Sequence, residues 1–132
     1  MYLIHLVVGL VLAQYIYFSV MVGAARGKYG VAAPATTGND MFERYFRVHM
    51  NTLELLVAFV PAVYTFGTYY AAQYAALLGA VFLIGRFIFF RAYIQDPKSR
   101  TLGFSLSILP IAILILGTVI GAMREWLHVL AG

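Results

Sequence analysis

The chain has 132 residues, of which 63% are apolar and only 11% charged, with a formal net charge of +4. Ordinary soluble domains run near ~45–50% apolar and ~25% charged, so a soluble bundle this short could not cover its own apolar surface. The chain has no cysteine, which excludes disulfides, thiol catalysis by the protein and cysteine-based metal sites. His5, His49 and His128 are scattered without ligand spacing, and no metal is expected. The basic excess is accounted for by membrane orientation, and no nucleic-acid partner is expected.

Met1 to Ala25, Leu55 to Gly85 and Thr101 to Met123 contain no Asp, Glu, Lys or Arg. A membrane-spanning helix needs ~20 apolar residues. The first and last stretches hold one span each, and the middle one holds parts of two, broken near Gly67–Gln73. The expected fold is all-α: an integral membrane four-helix bundle forming one domain over residues 1–132.

In chain order, helix 1 is expected at Tyr2–Ala25. It reads as a span rather than a cleaved signal, because it lacks a basic n-region and its apolar run exceeds the ~7–15 residues of an h-region. The loop Arg26–Asp40 carries the turn residues Gly27, Gly30, Pro34 and Gly38. Its end, Asp40-Met41-Phe42-Glu43, resembles a capping box that starts helix 2 at Met41–Thr68. Helix 3 is expected at Gln73–Ile94. Helix 4 runs from Pro97 to about Val129, with Asp96 as N-cap and Pro97 in the first turn. Gly117-x-x-x-Gly121 in helix 4 would allow close helix packing. Arg26, Lys28, Arg44, Arg47, Arg91, Lys98 and Arg100 all fall at the ends joined by loops 1–2 and 3–4, whereas the opposite side has only Arg124. The positive-inside bias therefore places both those loops in the cytoplasm and both termini across the membrane.

Helix 2 holds the candidate chemistry. Arg44, Arg47, Asn51 and Glu54 follow a 3-4-3 rhythm that puts two cations, an amide and an anion on one helical face. Asn51 and Glu54 fall within the hydrocarbon edge, where a carboxylate is costly without a partner. Helix 3 adds Arg86, Phe89, Phe90 and Tyr93 at similar spacing, and Arg100 falls in the first turn of helix 4 on the same side. Plainer readings stand beside these: Arg44 and Arg91 as headgroup anchors, the helix 3 aromatics as packing, and Arg86 with Glu54 as a structural ion pair between helices 2 and 3.

These residues resemble the MAPEG superfamily, the membrane-associated proteins in eicosanoid and glutathione metabolism, and its bacterial-type members in particular. The run Glu43-Arg44-Tyr45-Phe46-Arg47-Val48-His49-Met50-Asn51-Thr52-Leu53-Glu54 is similar to the family's helix 2 signature, E-R-x-x-R-x-[QH]-x-N-x-x-E. Thr36-Thr37-Gly38 looks like the family's loop, and Arg86 through Tyr93 to Arg100 fits its second motif more loosely. The resemblance implies a homotrimer holding glutathione between neighbouring subunits near the cytosolic face, in the inner (plasma) membrane if the source is bacterial. By position, Arg47, Asn51, Glu54, Tyr93 and Arg100 would contact glutathione from one subunit, and Arg86 belongs to the same set. His49 would reach it from the next subunit, with Arg26 or Lys28 assisting. His49 lies about 200° around the helix from Arg47, at ~100° per residue, so both could serve one ligand only at an interface.

The implied chemistry suits these side chains. Glutathione has two carboxylates and one ammonium, which Arg47, a basic loop residue and Glu54 match. Its thiol, with a pKa near ~8.5 by analogy with Cys, attacks an electrophile only as the thiolate. A guanidinium at a helix N-terminus lowers that pKa, and Arg100 is placed for both effects. The expected function is a glutathione-dependent transferase or peroxidase acting on lipophilic electrophiles drawn from the bilayer. Leu55 and Phe89 stand where the eicosanoid-conjugating members often have Tyr. Some members bind lipid without catalysis, so a non-catalytic lipid- or glutathione-binding scaffold is the alternative. A small multidrug transporter is a more distant one, since helix 1 has no acid.

Overall fold

A single apolar run of ~20 residues satisfies its backbone inside a membrane by closing each N–H and C=O within the segment as a helix, and this chain does so four times. The computed structural model describes all 132 residues: α1 (Tyr2–Tyr29), α2 (Asp40–Tyr69), α3 (Ala72–Gln95) and α4 (Thr101–Ala131), with a 3₁₀ turn at Pro97–Ser99 before α4. All four α-helices are long and apolar enough to span a bilayer, so the chain is a multi-pass membrane protein. Leu6, Ile16, Val57, Leu77, Ile84, Ile113 and Leu116 are exposed around the outside, as expected where lipid is the solvent.

The helix ends differ from the sequence expectation in ways that move functional residues. α1 continues through Tyr29, so Arg26 and Lys28 lie on its last turn, where cations complement the helix dipole. It stops at Gly30, whose φ of 71° is the left-handed conformation that glycine adopts without strain. α2 is capped by Asn39 rather than Asp40: Asn39 Oδ1 accepts from the Phe42 N–H at 3.0 Å. This frees Asp40 to pair with Arg44 one turn on, at 2.9 Å. Asp96 caps the 3₁₀ turn, its Oδ1 accepting from the Lys98 N–H at 3.0 Å. α4 therefore begins at Thr101, and Arg100 is its N-cap residue rather than a member of its first turn.

The core lies between the helices around Phe59 and Phe82, whose rings stack at 4.3 Å, with Ile4, Val11, Val63 and Leu114 fully buried about them. Nearer the loop 1–2 end, Phe18, Val48 and Phe89 form a second cluster. Two close approaches lock α3 to α4 there. A Cβ added at Gly85 would lie 2.7 Å from the Leu106 carbonyl carbon, and one at Gly103 would strike the Phe89 backbone. Only glycine permits such backbone contact. Gly117 and Gly121 face the Phe66 and Tyr69 rings of α2 in the same manner. Arg44 ties α2 to the end of α3, its Nη1 donating to the Ile94 and Gln95 carbonyls at 2.8 and 3.1 Å. It is thus a cap for orphan helix carbonyls rather than a free headgroup anchor.

Candidate functional site

A cavity of about 380 Å³ opens between α2, α3 and the start of α4, lined by Arg47, Asn51, Phe89, Tyr93, Arg100, Thr101, Phe104 and Ser105. Each helix supplies one wall. α2 contributes Arg47 and Asn51, one turn apart on a single face. α3 contributes Phe89 and Tyr93, whose rings stack at 5.3 Å. α4 contributes Arg100 at its N-cap, then Thr101 and Ser105 one turn apart, with the unsatisfied N–H groups of its first turn beside them. The Arg100 side chain is exposed and makes no hydrogen bond or ion pair within the protein. A second depression of about 310 Å³ adjoins it near the loop and shares Arg47 and Tyr93, with Asp40 and Glu43 on its wall.

The structure joins Arg47, Asn51, Tyr93 and Arg100, which sequence spacing had placed on three different helices. The remaining expected residues take other places. Glu54 does not line the cavity and does not meet Arg86. Its Oε1 lies 3.3 Å from Arg47 Nη1, with both side chains more than half exposed. The interhelical ion pair considered for Arg86 and Glu54 is therefore absent. Arg86 is fully buried and is met by neutral groups instead, with its Nη2 left without a partner. Its Nε donates to Ser107 Oγ at 2.8 Å, and its Nη1 to Asn51 Oδ1 at 2.7 Å and Thr52 Oγ1 at 3.1 Å. It also lies 4.4 Å from the Phe89 ring centroid, a cation–π contact.

His49 faces α1, where its ring stacks on Tyr15 at 4.7 Å, away from the cavity that Arg47 lines. Its Nε2 is buried without a partner. Arg26 turns inward over the loop, donating to the Ala35 carbonyl at 2.7 Å and covering the Phe42 ring at 4.8 Å. Lys28 is exposed beside Tyr29. Sequence reading missed Thr101, Phe104, Ser105, Thr52 and Ser107. The signal available for three of these was helical spacing, since Thr101, Phe104 and Ser105 lie one, four and five residues after Arg100.

Fold and site together define a class: a small four-span helical membrane protein with an arginine-lined cavity at the end of its bundle. The profile of the MAPEG family matches residues 4–120, and the chain belongs to that family. An uncharacterized protein of Synechocystis is 42% identical over 91% of this chain and 88% of its own length. Human microsomal glutathione S-transferase 2 is 40% identical over 83% of this chain and 73% of its own. Bovine leukotriene C4 synthase is 34% identical over 64% of this chain and 56% of its own.

Proposed function

We propose that the chain is a glutathione-dependent transferase or peroxidase acting on lipophilic electrophiles, with its thiol site in the arginine-lined cavity. The observation that carries this reading is the convergence of Arg47, Asn51 and Arg100 on one cavity beside the first turn of α4. Two guanidiniums, an amide and a helix N-terminus make a strongly donating surface, suited to carboxylates and a thiolate. The names of the relatives, a glutathione S-transferase and leukotriene C4 synthase, support glutathione as the thiol.

In this reading Arg47 holds a glutathione carboxylate, and Glu54, just beyond the cavity's lining and 3.3 Å from Arg47, meets the ammonium where the ligand extends out of the cavity. Arg100 stands beside the sulfur, favouring loss of the thiol proton to water and stabilising the anion that remains. The thiolate then attacks an electrophilic carbon arriving from the bilayer past Phe89 and Phe104, which give the cavity its apolar side. The C–S bond forms as a leaving group departs as an anion or an epoxide C–O bond opens, and that anion takes its proton from water. The site lies toward the cytoplasm, because the basic residues cluster at that end of the bundle.

The same reading includes a homotrimer of this one-domain chain. Glu54 is about 21 Å along α2 from Asp40, at ~1.5 Å per residue, and its side chain is 58% exposed. An exposed carboxylate at that depth is costly against lipid, so a neighbouring subunit covering this face would resolve the cost. His49, on the opposite side of α2, would serve the next subunit's site, with Arg26 or Lys28 near it. A glutathione titration on purified protein, followed by assay with a lipophilic electrophile, tests the proposal. Saturable binding with turnover supports it, binding without turnover identifies a scaffold, and no binding refutes it.

A further inference from the structure

We infer that Arg86 is a positioning residue that fixes which way the Asn51 amide faces, and so makes the cavity floor a hydrogen-bond donor. The inference rests on the proposed glutathione site and specifies what part of the ligand lies on Asn51.

A guanidinium has five N–H donors and no acceptor. Whatever faces it must therefore offer lone pairs. Arg86 Nη1 lies 2.7 Å from Asn51 Oδ1, so the amide oxygen is committed to the guanidinium and Nδ2 must point elsewhere. An amide's two ends are set by their hydrogen-bond partners, and here the partner leaves no choice. Nδ2 makes no hydrogen bond within the protein, while Asn51 lines the cavity. Its two N–H groups are left for a ligand. A ligand group on Asn51 must accept: a carbonyl or carboxylate oxygen, and not the ammonium.

The other partners of Arg86 hold it in this task. Thr52 Oγ1 donates its proton to the Val48 carbonyl at 2.8 Å, and Ser107 Oγ donates to Gly103 at 2.7 Å. Each hydroxyl has thereby given its one proton to a backbone carbonyl and turns only lone pairs toward Arg86. The guanidinium is braced from α2 and α4 at once, at the level where Gly85 lets α3 touch α4. No carboxylate contacts it. A buried cation is expensive, and a merely structural link between three helices could be made by neutral groups. Holding an amide oxygen against competition from the ligand's own donors is a task that needs a fixed charge.

The test is a double-mutant cycle on glutathione affinity, measured by calorimetry on the full chain in detergent. Asn51→Ala should weaken binding about tenfold, within the range for one lost hydrogen bond to a charged or strongly polar group. Arg86→Gln should weaken it by a similar factor in the parent, yet by less than about twofold when Asn51 is already Ala, because groups acting through one another are non-additive. Equal losses from Arg86→Gln in both backgrounds would overturn the inference. Asn51→Asp decides the matter without touching Arg86. It keeps an oxygen for the guanidinium, so the fold survives, but replaces the cavity's donors with lone pairs. Binding should fall by at least about tenfold with the melting temperature maintained or raised. Parent-like binding by Asn51→Asp would show that the amide donors are not used. A parent chain that fails to bind glutathione would instead remove the function on which the inference rests.

Discussion

Arg47 Nη1 lies 3.3 Å from Glu54 Oε1, two turns further along the same helix, with Asn51 between them on that face. Arg47 lines the cavity and Glu54 stands just beyond its lining, so the pair reaches from the cavity to the outer part of that face. A zwitterionic ligand could exchange this one internal pair for two external ones, its carboxylate meeting Arg47 and its ammonium meeting Glu54.

Glu54→Gln is therefore expected to lower glutathione affinity by ~10–100-fold, the worth of one hydrogen bond to a charged group. It should change stability by less than ~1 kcal/mol, because exposed ion pairs contribute little. Calorimetric titration and a thermal melt in one detergent check both statements. Unchanged affinity would remove Glu54 from the ligand.

The half-exposed Arg47–Glu54 pair also bears on assembly. If a second copy covers this face, native mass spectrometry in mild detergent should show three chains. Cross-linking should place α2 of one chain near its neighbour. A monomer that binds glutathione fully would leave the pair exposed for some other reason.

Much of this was legible in the sequence, and the failures have physical causes. Charge-free runs located all four helices, because apolar runs of ~20 residues match a spanning helix and exceed a barrel strand. The 3-4-3 spacing put Arg47 and Asn51 on one face, and that face does border the cavity. Spacing along one helix says nothing of rotation against the next, so Glu54, at the end of the same stripe, falls outside. Arg86 was the hardest to read. The rule that membrane charges pair with opposite charges pointed to Glu54, whereas three neutral acceptors on two helices meet the guanidinium. Two of them, Thr52 and Ser107, are ordinary hydroxyls with no signature of their own. Asn39 displaced Asp40 as the cap because both are good caps and Asp40 had Arg44 as a partner.

Gly103 should be among the least replaceable residues, since an added Cβ would strike the Phe89 backbone rather than a flexible side chain. Gly103→Ala is expected to destabilise the chain by ~1–3 kcal/mol through overpacking and to disturb the cavity wall that Phe89 forms. Gly9 lies in α1 with nothing within 4 Å of the same added atom. Gly9→Ala should be neutral or stabilising by up to ~1 kcal/mol, from helix propensity alone. Thermal melts of the two variants side by side check the contrast. Equal melting temperatures would mean that α3 and α4 can separate slightly without loss.

Arg100 carries the mechanistic prediction. It is the N-cap residue of α4, lines the cavity and has a side chain with no hydrogen-bond or ion-pair partner in the protein, so its charge is free to act on a bound ligand. If it stabilises the thiolate, Arg100→Ala should raise the pKa of bound glutathione's thiol while changing affinity much less. The reason is differential: in the proposed site the guanidinium acts on charge developed at sulfur, whereas Arg47, Asn51 and Glu54 would hold the rest of the tripeptide. A raised pKa moves the rise in activity to higher pH, so the loss is greatest at neutral pH and shrinks in alkali. Each unit corresponds to ~1.4 kcal/mol, and a loss of several-fold to about a hundredfold at neutral pH follows for a shift of one to two units. Arg100→Lys should restore part of the effect, because the charge is retained and the planar fork is not. Ultraviolet absorbance of the bound thiolate, followed against pH, separates this role from that of a headgroup anchor. Superimposable titration curves for the parent and Arg100→Ala would assign Arg100 to anchoring alone.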